Sequence, residues 1–392
     1  MRKKEYKEKK GRPGILLLIS VLLLNAGCAR GGLFRADDYY LVNGSGAEAA
    51  GSGDEADRED SESAPEDLAK AEKVSDKSSL EDSPRPDQAE AWRDVMQTVW
   101  IAYWDGHIAE ALDLYGSVIE NICIFAACYD PEGGVFLPED LNAQYQMIRE
   151  KDPDHRWTYY LSVTNDVLAA AWSSAKDTDL LHHLLDDPEN AEKHAETLAA
   201  LAAENGYDGL EIDYECLHSD MELWKGFLHF EEALLAETEE RGLKLRIVLE
   251  PATPKEGLSF PEGPEYVMMC YDLHGFGTEP GAKADQKFLT ALVNDFSFVP
   301  GLEYALANGG FDWNLDTGYV TTMSEQNIQE LLAGYDFEKQ RGDTSGALYG
   351  TYAGDGDEQH TVWYADLETL QLWYQYLCDA SGRQVRCSLW KL

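Results

Sequence analysis

From Leu210 to Glu215 the chain reads Leu-Glu-Ile-Asp-Tyr-Glu, with apolar and acidic residues in strict alternation after Asp208-Gly209. Side chains two apart share one face of a β-strand, so this spacing predicts Glu211, Asp213 and Glu215 in a column with Leu210, Ile212 and Tyr214 behind them. Three carboxylates on one face are costly unless they share protons or partners, so at least one is expected to titrate above its ordinary range. The outermost, Glu215, is the best placed to act as a general acid near neutral pH. The competing reading is a solvated acidic edge strand, and alternation with β-branched and aromatic partners argues against it.

A column of this kind needs a scaffold. Short β-rich runs at Thr98–Tyr103, Ile122–Ala127, Thr158–Thr164, Gly209–Tyr214, Lys244–Leu249, Tyr266–Tyr271, Leu302–Ala307 and Val385–Leu389 alternate with helical stretches. Examples are Pro188 to Glu204, with Ala and Leu on one stripe, and Ser219 to Glu240, stopped by Arg241-Gly242. Strands and helices in this number and order predict an α/β fold, a (β/α)8 TIM barrel, with the carboxylates climbing toward the C-terminal rim where such barrels hold their active sites. Ala347–Ala353 and His360–Tyr364 flank Gly354-Asp355-Gly356-Asp357, which predicts a β-hairpin insertion before the last helix, forming a wall of the cleft.

Of 392 residues, 73 are Asp or Glu and 32 are Lys or Arg, a formal charge of −41 that excludes a nucleic-acid partner. Apolar residues make up 44%, enough for a large core. Basic residues up to Arg12 precede an apolar run from Ile15 to Leu24 and then Asn25-Ala26-Gly27-Cys28, which predicts an export signal over residues 1–28. Its end resembles a bacterial lipoprotein signal, with Cys28 as the lipidation site; a simple secretory signal or an uncleaved anchor is the alternative. Residues 29–90, acidic and nearly free of large apolar side chains between Gly44 and Ala89, are expected to be a disordered tether with a reach of roughly 40–45 Å. The folded unit is then 91–392, exported and held on the outer face of the cytoplasmic membrane through lipid only, because an anionic surface repels so acidic a body. The spacing of the cysteines suggests neither a metal nor a disulfide scaffold; buried thiols are expected, with a Cys378–Cys387 bridge left open.

The segment Asp208 to Glu215 resembles the D-G-x-D-x-D-x-E signature of glycoside hydrolase family 18, which contains chitinases, endo-β-N-acetylglucosaminidases and spore peptidoglycan hydrolases. Met269-Cys270-Tyr271-Asp272 is similar to that family's sixth-strand M-x-Y-D run. Gly310-Phe311-Asp312-Trp313 resembles its seventh-strand end, His360-Thr361-Val362-Trp363-Tyr364-Ala365-Asp366 a run before the last helix, and Ser388-Leu389-Trp390 its final strand. The resemblance implies an exported glycosidase cleaving β-1,4 bonds beside N-acetylglucosamine in peptidoglycan, spore cortex or chitin oligosaccharides, as a monomer without metal or cofactor. It implies substrate-assisted retaining catalysis, in which the substrate's own acetamido group is the nucleophile. Glu215 would protonate the leaving oxygen, Asp213 would orient the acetamido group with Glu211 as its proton partner, and Tyr271 would donate to the acetamido oxygen. Asp272, Trp390, Tyr103 and Trp313 would bind sugar. Glu211 stands where that family usually has Asp, and a displacement near 1 Å in such a network costs on the order of 100-fold in rate. Two other classes compete: a non-catalytic sugar-binding barrel and a structural envelope lipoprotein whose acidic cleft engages a protein.

Overall fold

The computed structural model describes residues 34–35, 89–103, 107–169 and 172–392. The export signal, Cys28 and most of the expected tether lie outside the described residues. Inside that tether, Phe34–Arg35 pairs antiparallel with Trp172–Ser174 beside the barrel.

Eight parallel strands close into a barrel: β1 (Thr98–Ala102), β2 (Asn121–Tyr129), β3 (Thr158–Leu168), β4 (Gly209–Asp213), β5 (Lys244–Leu249), β6 (Glu265–Met269), β7 (Glu303–Ala307) and β8 (Cys387–Trp390). Each pairs with the next, and β8 returns to β1 with Ser388 opposite Thr98. The (β/α)8 expectation holds in order and location. Lys244–Leu249 keeps its expected bounds and the other seven strands shift by one to four residues at an end; the largest change is in β3, which runs on to Leu168, and β4 stops at Asp213 instead of Tyr214.

Period-two alternation sorts the two barrel faces. Ile122, Ile124, Leu161, Leu210, Ile212 and Ile247 are buried outward against the helices, each burial worth about 1.5–3 kcal/mol. Trp100, Cys123, Phe125, Tyr160, Val248, Val267, Met269 and Ala305 fill the interior, with half-buried Trp390 packed on them. The helices are α1 (Ile108–Tyr115), α2 (Glu139–Lys151), α3 (Thr178–Leu185), α4 (Pro188–Glu204), α5 (Met221–Arg241), α6 (Gln286–Asp295), α7 (Glu325–Leu332) and α8 (Leu367–Ser381). Part of the acidic excess is structural. Asp177, Asp187, Asp220, Asp285 and Asp366 cap α3, α4, α5, α6 and α8 by accepting from free N–H groups of the first turn. The β5–β6 connection, residues 250–264, is irregular.

The expected hairpin exists, with Leu348–Ala353 paired to Gln359–Ala365, but it is part of a five-stranded antiparallel sheet between β7 and α8. Val320–Met323, Gly309–Asn314 and Gln340–Arg341 are its other strands. The placement of Gly310-Phe311-Asp312-Trp313 at the end of the seventh strand is corrected here. β7 ends at Ala307, and Gly309, at φ +59°, turns the chain out of the barrel into the second sheet. A Cβ on Gly310 would sit 1.8 Å from the Trp363 carbonyl oxygen, so the close pairing of these two strands requires glycine there. Ile328, Leu348, Tyr352, Val362 and Tyr364 form the small core of this sheet. Cys378 and Cys387 are free thiols, as are Cys123, Cys128 and Cys270. No helix among the described residues is long and apolar enough to cross a membrane.

Glu231 of α5 is fully buried and accepts a hydrogen bond from the Tyr266 hydroxyl of β6. Burial pushes its carboxyl up to about 8. A carboxyl raised in the fold stabilises fully below its unfolded pKa, and that contribution disappears as pH rises through the folded value. Unfolding temperature is therefore expected to fall between pH 5 and pH 8.5. Glu231→Gln, which keeps the acceptor, should remove about 1–2 kcal/mol of that slope in thermal melts across the range.

Candidate active site

β4 carries the column, and its members meet different surroundings. Glu211, the lowest, is fully buried and saturated: it accepts from Trp100 Nε1 at 2.6 Å, Ser162 Oγ at 2.8 Å, Cys123 Sγ at 3.2 Å and Arg246 Nε at 2.8 Å. Arg246 stands beside it on β5 and reaches on to Glu303 at 3.2 Å and Ser388 at 2.6 Å. The barrel thus carries a belt of paired charge at this level, with members on seven of its strands.

Asp213 lies one step higher, next to Thr164 of β3. It is buried, and its Oδ1 has no hydrogen-bond partner among the described residues. Burial, then the charges of Glu215 and Glu211, push its carboxyl well above the usual range.

Glu215 sits past the strand end, on a loop where Cys216 has φ +68°. Asn165 of β3 clamps it: Asn165 Oδ1 accepts from Glu215 N–H at 2.9 Å and Asn165 Nδ2 donates to Glu215 C=O at 3.1 Å. Glu250, at the end of β5, accepts from Cys216 N–H at 2.6 Å. The Glu215 carboxylate is met by the ammonium of Lys176, both side chains nearly buried. On the opposite face Tyr214 points to the helices, bonding the Tyr129 hydroxyl and, at 2.8 Å, His194 Nε2. Burial pushes His194 down to about 4, so that cluster is neutral.

Further acids surround the pair. Burial pushes Asp166 up to about 6, Asp272 up to about 7 and Glu250 up to about 8, with the charge of Glu215 adding in each case. Tyr271 is buried just beyond β6, and desolvation followed by Asp272, Asp213 and Glu215 pushes its phenol up. Lys283 donates to the Asn308 carbonyl at 2.8 Å and lies 5.4 Å from the Phe311 ring; burial lowers it to about 8. Oδ1 of Asp272 and Oδ2 of Asp166 are, like Asp213 Oδ1, buried acceptors lacking a partner among the described residues. Each such group costs about 1–3 kcal/mol, relieved by a proton or by a ligand's donor.

Trp390, on β8, packs edge-on against Trp100 at 5.9 Å and Phe125 at 5.1 Å, half-buried inside the barrel. Tyr103, just after β1, is buried near Cys128 and Asp166, whose charges add to burial in raising its phenol. Trp313 lies in the second sheet, buried against Phe311 at 5.5 Å. The structure therefore gathers Asp213, Glu215, Tyr271 and Asp272, sets Glu211 in the belt below, and puts Trp313 on a separate element. Sequence reasoning missed Asn165, Asp166, Lys176 and Lys283. The signal for the first two was an Asn-Asp pair following an alternating strand.

No family model matches the chain. A Bacillus subtilis protein named as a sporulation-specific glycosylase, YdhD, is 24% identical over 298 residues, covering 70% of this chain and 67% of YdhD. A second glycosylase from that organism, YvbX, is 23% identical over 210 residues, half of this chain and 60% of YvbX. Among solved structures, a Chromobacterium violaceum chitinase superimposes with a TM-score of 0.62 at 20% identity, over 76% of this chain and 94% of that one. The Bacillus megaterium spore cortex-lytic enzyme SleL does so with a TM-score of 0.62 at 16% identity, over 76% and 70%. A class V chitinase from tobacco, solved with NAG4, gives 0.59 at 14% identity over 76% and 94%. These likenesses agree with the closed barrel and its helices.

Arg246→Met should lower stability by about 3–5 kcal/mol in denaturant unfolding, because it strands fully buried Glu211 without its cation, while Glu303 keeps its pair with Arg386 Nε at 2.8 Å. Glu211→Gln should cost less, since the amide oxygen still accepts from Trp100 and Ser162. The double variant should be more stable than the sum of the two losses implies.

Proposed function

We propose that the protein is a glycoside hydrolase of the family 18 type, cleaving β-1,4 bonds next to N-acetylglucosamine with the substrate's acetamido group as nucleophile. The observation that carries this reading is the grouping of Asp213, Glu215 and Tyr271 with half-buried Trp390 at the C-terminal mouth of a closed barrel. The glycosylases and chitinases to which the chain is similar support it. Export and lipid attachment at Cys28 belong to the same proposal and rest on residues 1–28 alone.

Each residue has a role that its surroundings suit. Trp390 offers an apolar ring face to a pyranose at the cleavage point. Asp213, with a free acceptor and a high proton affinity, takes the acetamido N–H. That bond favours its ionised form and makes its proton available to Glu215. Tyr271, kept as a phenol, donates to the acetamido carbonyl oxygen, which attacks the anomeric carbon as Glu215 gives its proton to the leaving oxygen. The bond to the leaving sugar breaks and a cyclic oxazolinium ion forms, its positive charge stabilised by ionised Asp213. Glu215, now a carboxylate, takes a proton from the incoming water, which opens the ring with retention. Glu211 acts from below by fixing the lower end of the column through Arg246, and Asp272 accepts from a sugar hydroxyl.

The test is incubation of the purified protein with peptidoglycan and with chitin oligosaccharides, products read by mass spectrometry. Glu215→Gln should lower kcat by about 10²–10⁴-fold with KM nearly unchanged, and Asp213→Asn by about 10²–10³-fold. Trp390→Ala should mainly raise KM. Parent-level turnover by Glu215→Gln would remove that residue from the mechanism. Binding of both polymers by the parent without any cleavage would replace the enzyme with a sugar-binding barrel.

A further inference from the structure

In the free site the group assigned to donate a proton is held by a cation. Lys176 places its ammonium on Glu215 Oε2, with 11% of the lysine side chain and 5% of the glutamate side chain exposed. A facing cation favours the charged carboxylate, the form that cannot serve as an acid. The backbone of Lys176 is pinned: it lies at φ +55°, its N–H donates to Asp166 Oδ1 at 2.8 Å, and the next N–H, of Asp177, donates to Asn165 C=O at 2.8 Å. What can move is the four-carbon stem.

The ammonium can leave Glu215 at low cost only if another anion receives it, because a buried, unpaired charge is expensive. Of the fold's own acids nearby, Asp166 is already tied to the Lys176 main chain and Glu250 to the Cys216 N–H, and burial, pushing Asp166 up to about 6, Asp272 up to about 7 and Glu250 up to about 8, disfavours the charge of each where it stands. A neutral sugar brings no anion either. A carboxylate carried by the glycan does, and it would enter a cleft otherwise lined with acids, where Lys176 is the cation in contact with Glu215.

We propose that Lys176 selects the substrate: it receives a carboxylate borne by an acidic amino-sugar polymer and, in leaving Glu215, frees that acid to take a proton, so carboxylate-bearing glycans are cleaved in preference to neutral ones. This rests on the glycosidase reading above. It names the polymer class, one in which N-acetylglucosamine alternates with a lactyl-substituted sugar, and it makes chitin-like oligosaccharides poor substrates of the parent protein.

The test uses the full chain and three probes: a neutral N-acetylglucosamine oligosaccharide, an oligosaccharide alternating N-acetylglucosamine with N-acetylmuramic acid whose lactyl carboxylate is free, and the methyl ester of the latter. The parent should cleave the free acid at least about 10-fold better in kcat/KM than its ester, the size of one charge-assisted contact. Lys176→Met should bring that ratio near one, losing rate on the acid and gaining on the two neutral probes. Lys176→Arg should keep the preference. A lysine that only supports the fold would lower all three rates together and leave the ratio unchanged, and that result, or a parent ratio of one, overturns the proposal. If no probe is cleaved, the glycosidase reading fails by itself; calorimetric binding of the same probes to the parent and Lys176→Met then decides the lysine, and equal affinities for acid and ester overturn it.

Discussion

A closed barrel with eight strands has one interior, and here a column of carboxylates must fit inside it. The Arg246–Glu211 pair is what makes that possible. Both residues are fully buried, neighbours in the β4–β5 register, and completed by hydrogen bonds from Trp100, Ser162 and Cys123 to Glu211 and from Arg246 to Ser388. An ion pair this deep gains little against an apolar packing of the same volume. Its consequence is positional. It pairs the lowest acid, so that the ones above it meet chiefly one another and Lys176, with Lys283 acting on Asp272 and the Glu211 charge still felt at Asp213.

Above the belt the balance changes from pairing to protonation. Asp213, Asp166, Asp272 and Glu250 are all pushed up, each with burial as the largest cause and Glu215 adding in every case. Hydrogen bonds from the fold are too few to saturate them, as the free oxygens of Asp213, Asp272 and Asp166 show. Such a cluster holds several protons near neutral pH and has acceptors left over for a ligand's hydroxyl and amide groups. Structural acids elsewhere, such as the helix-capping aspartates, have their acceptors filled by backbone N–H groups and lie outside this cluster. That contrast, and not the overall charge, separates chemistry from composition.

The barrel was legible because each strand is a local pattern: the alternation at Gly209–Asp213 and the apolar runs at Asn121–Tyr129 and Glu303–Ala307 declare themselves within a few residues. The column was legible for the same reason, since period two on one strand fixes which side chains share a face. Lys176, Lys283 and Asn165 were not, because each reaches the site from a different segment and its local surroundings look like ordinary loop or strand end. The same limit explains Trp313: its short motif is real, but whether Gly309 continues β7 or turns out of it depends on pairing with a strand more than 50 residues further on. Glu211 shows the reverse case, a residue found from its spacing whose partner, Arg246, is set by the register of the next strand.

Placing Glu215 beyond the end of β4 has a mechanical consequence. A residue inside the strand is held through ladder bonds and points where the pleat sends it; a residue on a loop needs other anchors. Asn165 bonds both backbone groups of Glu215, and Glu250 holds the next N–H, so the main chain is fixed from two sides while the carboxylate stays free to change partner. Lys176 is built alike, with its backbone tied to Asp166 and the adjoining peptide to Asn165. Asn165 thus holds both partners of the ion pair at once, one directly and one through its neighbour. Rigid main chain beneath two exchangeable charged ends keeps the distances that proton transfer needs while allowing the cation to be drawn away.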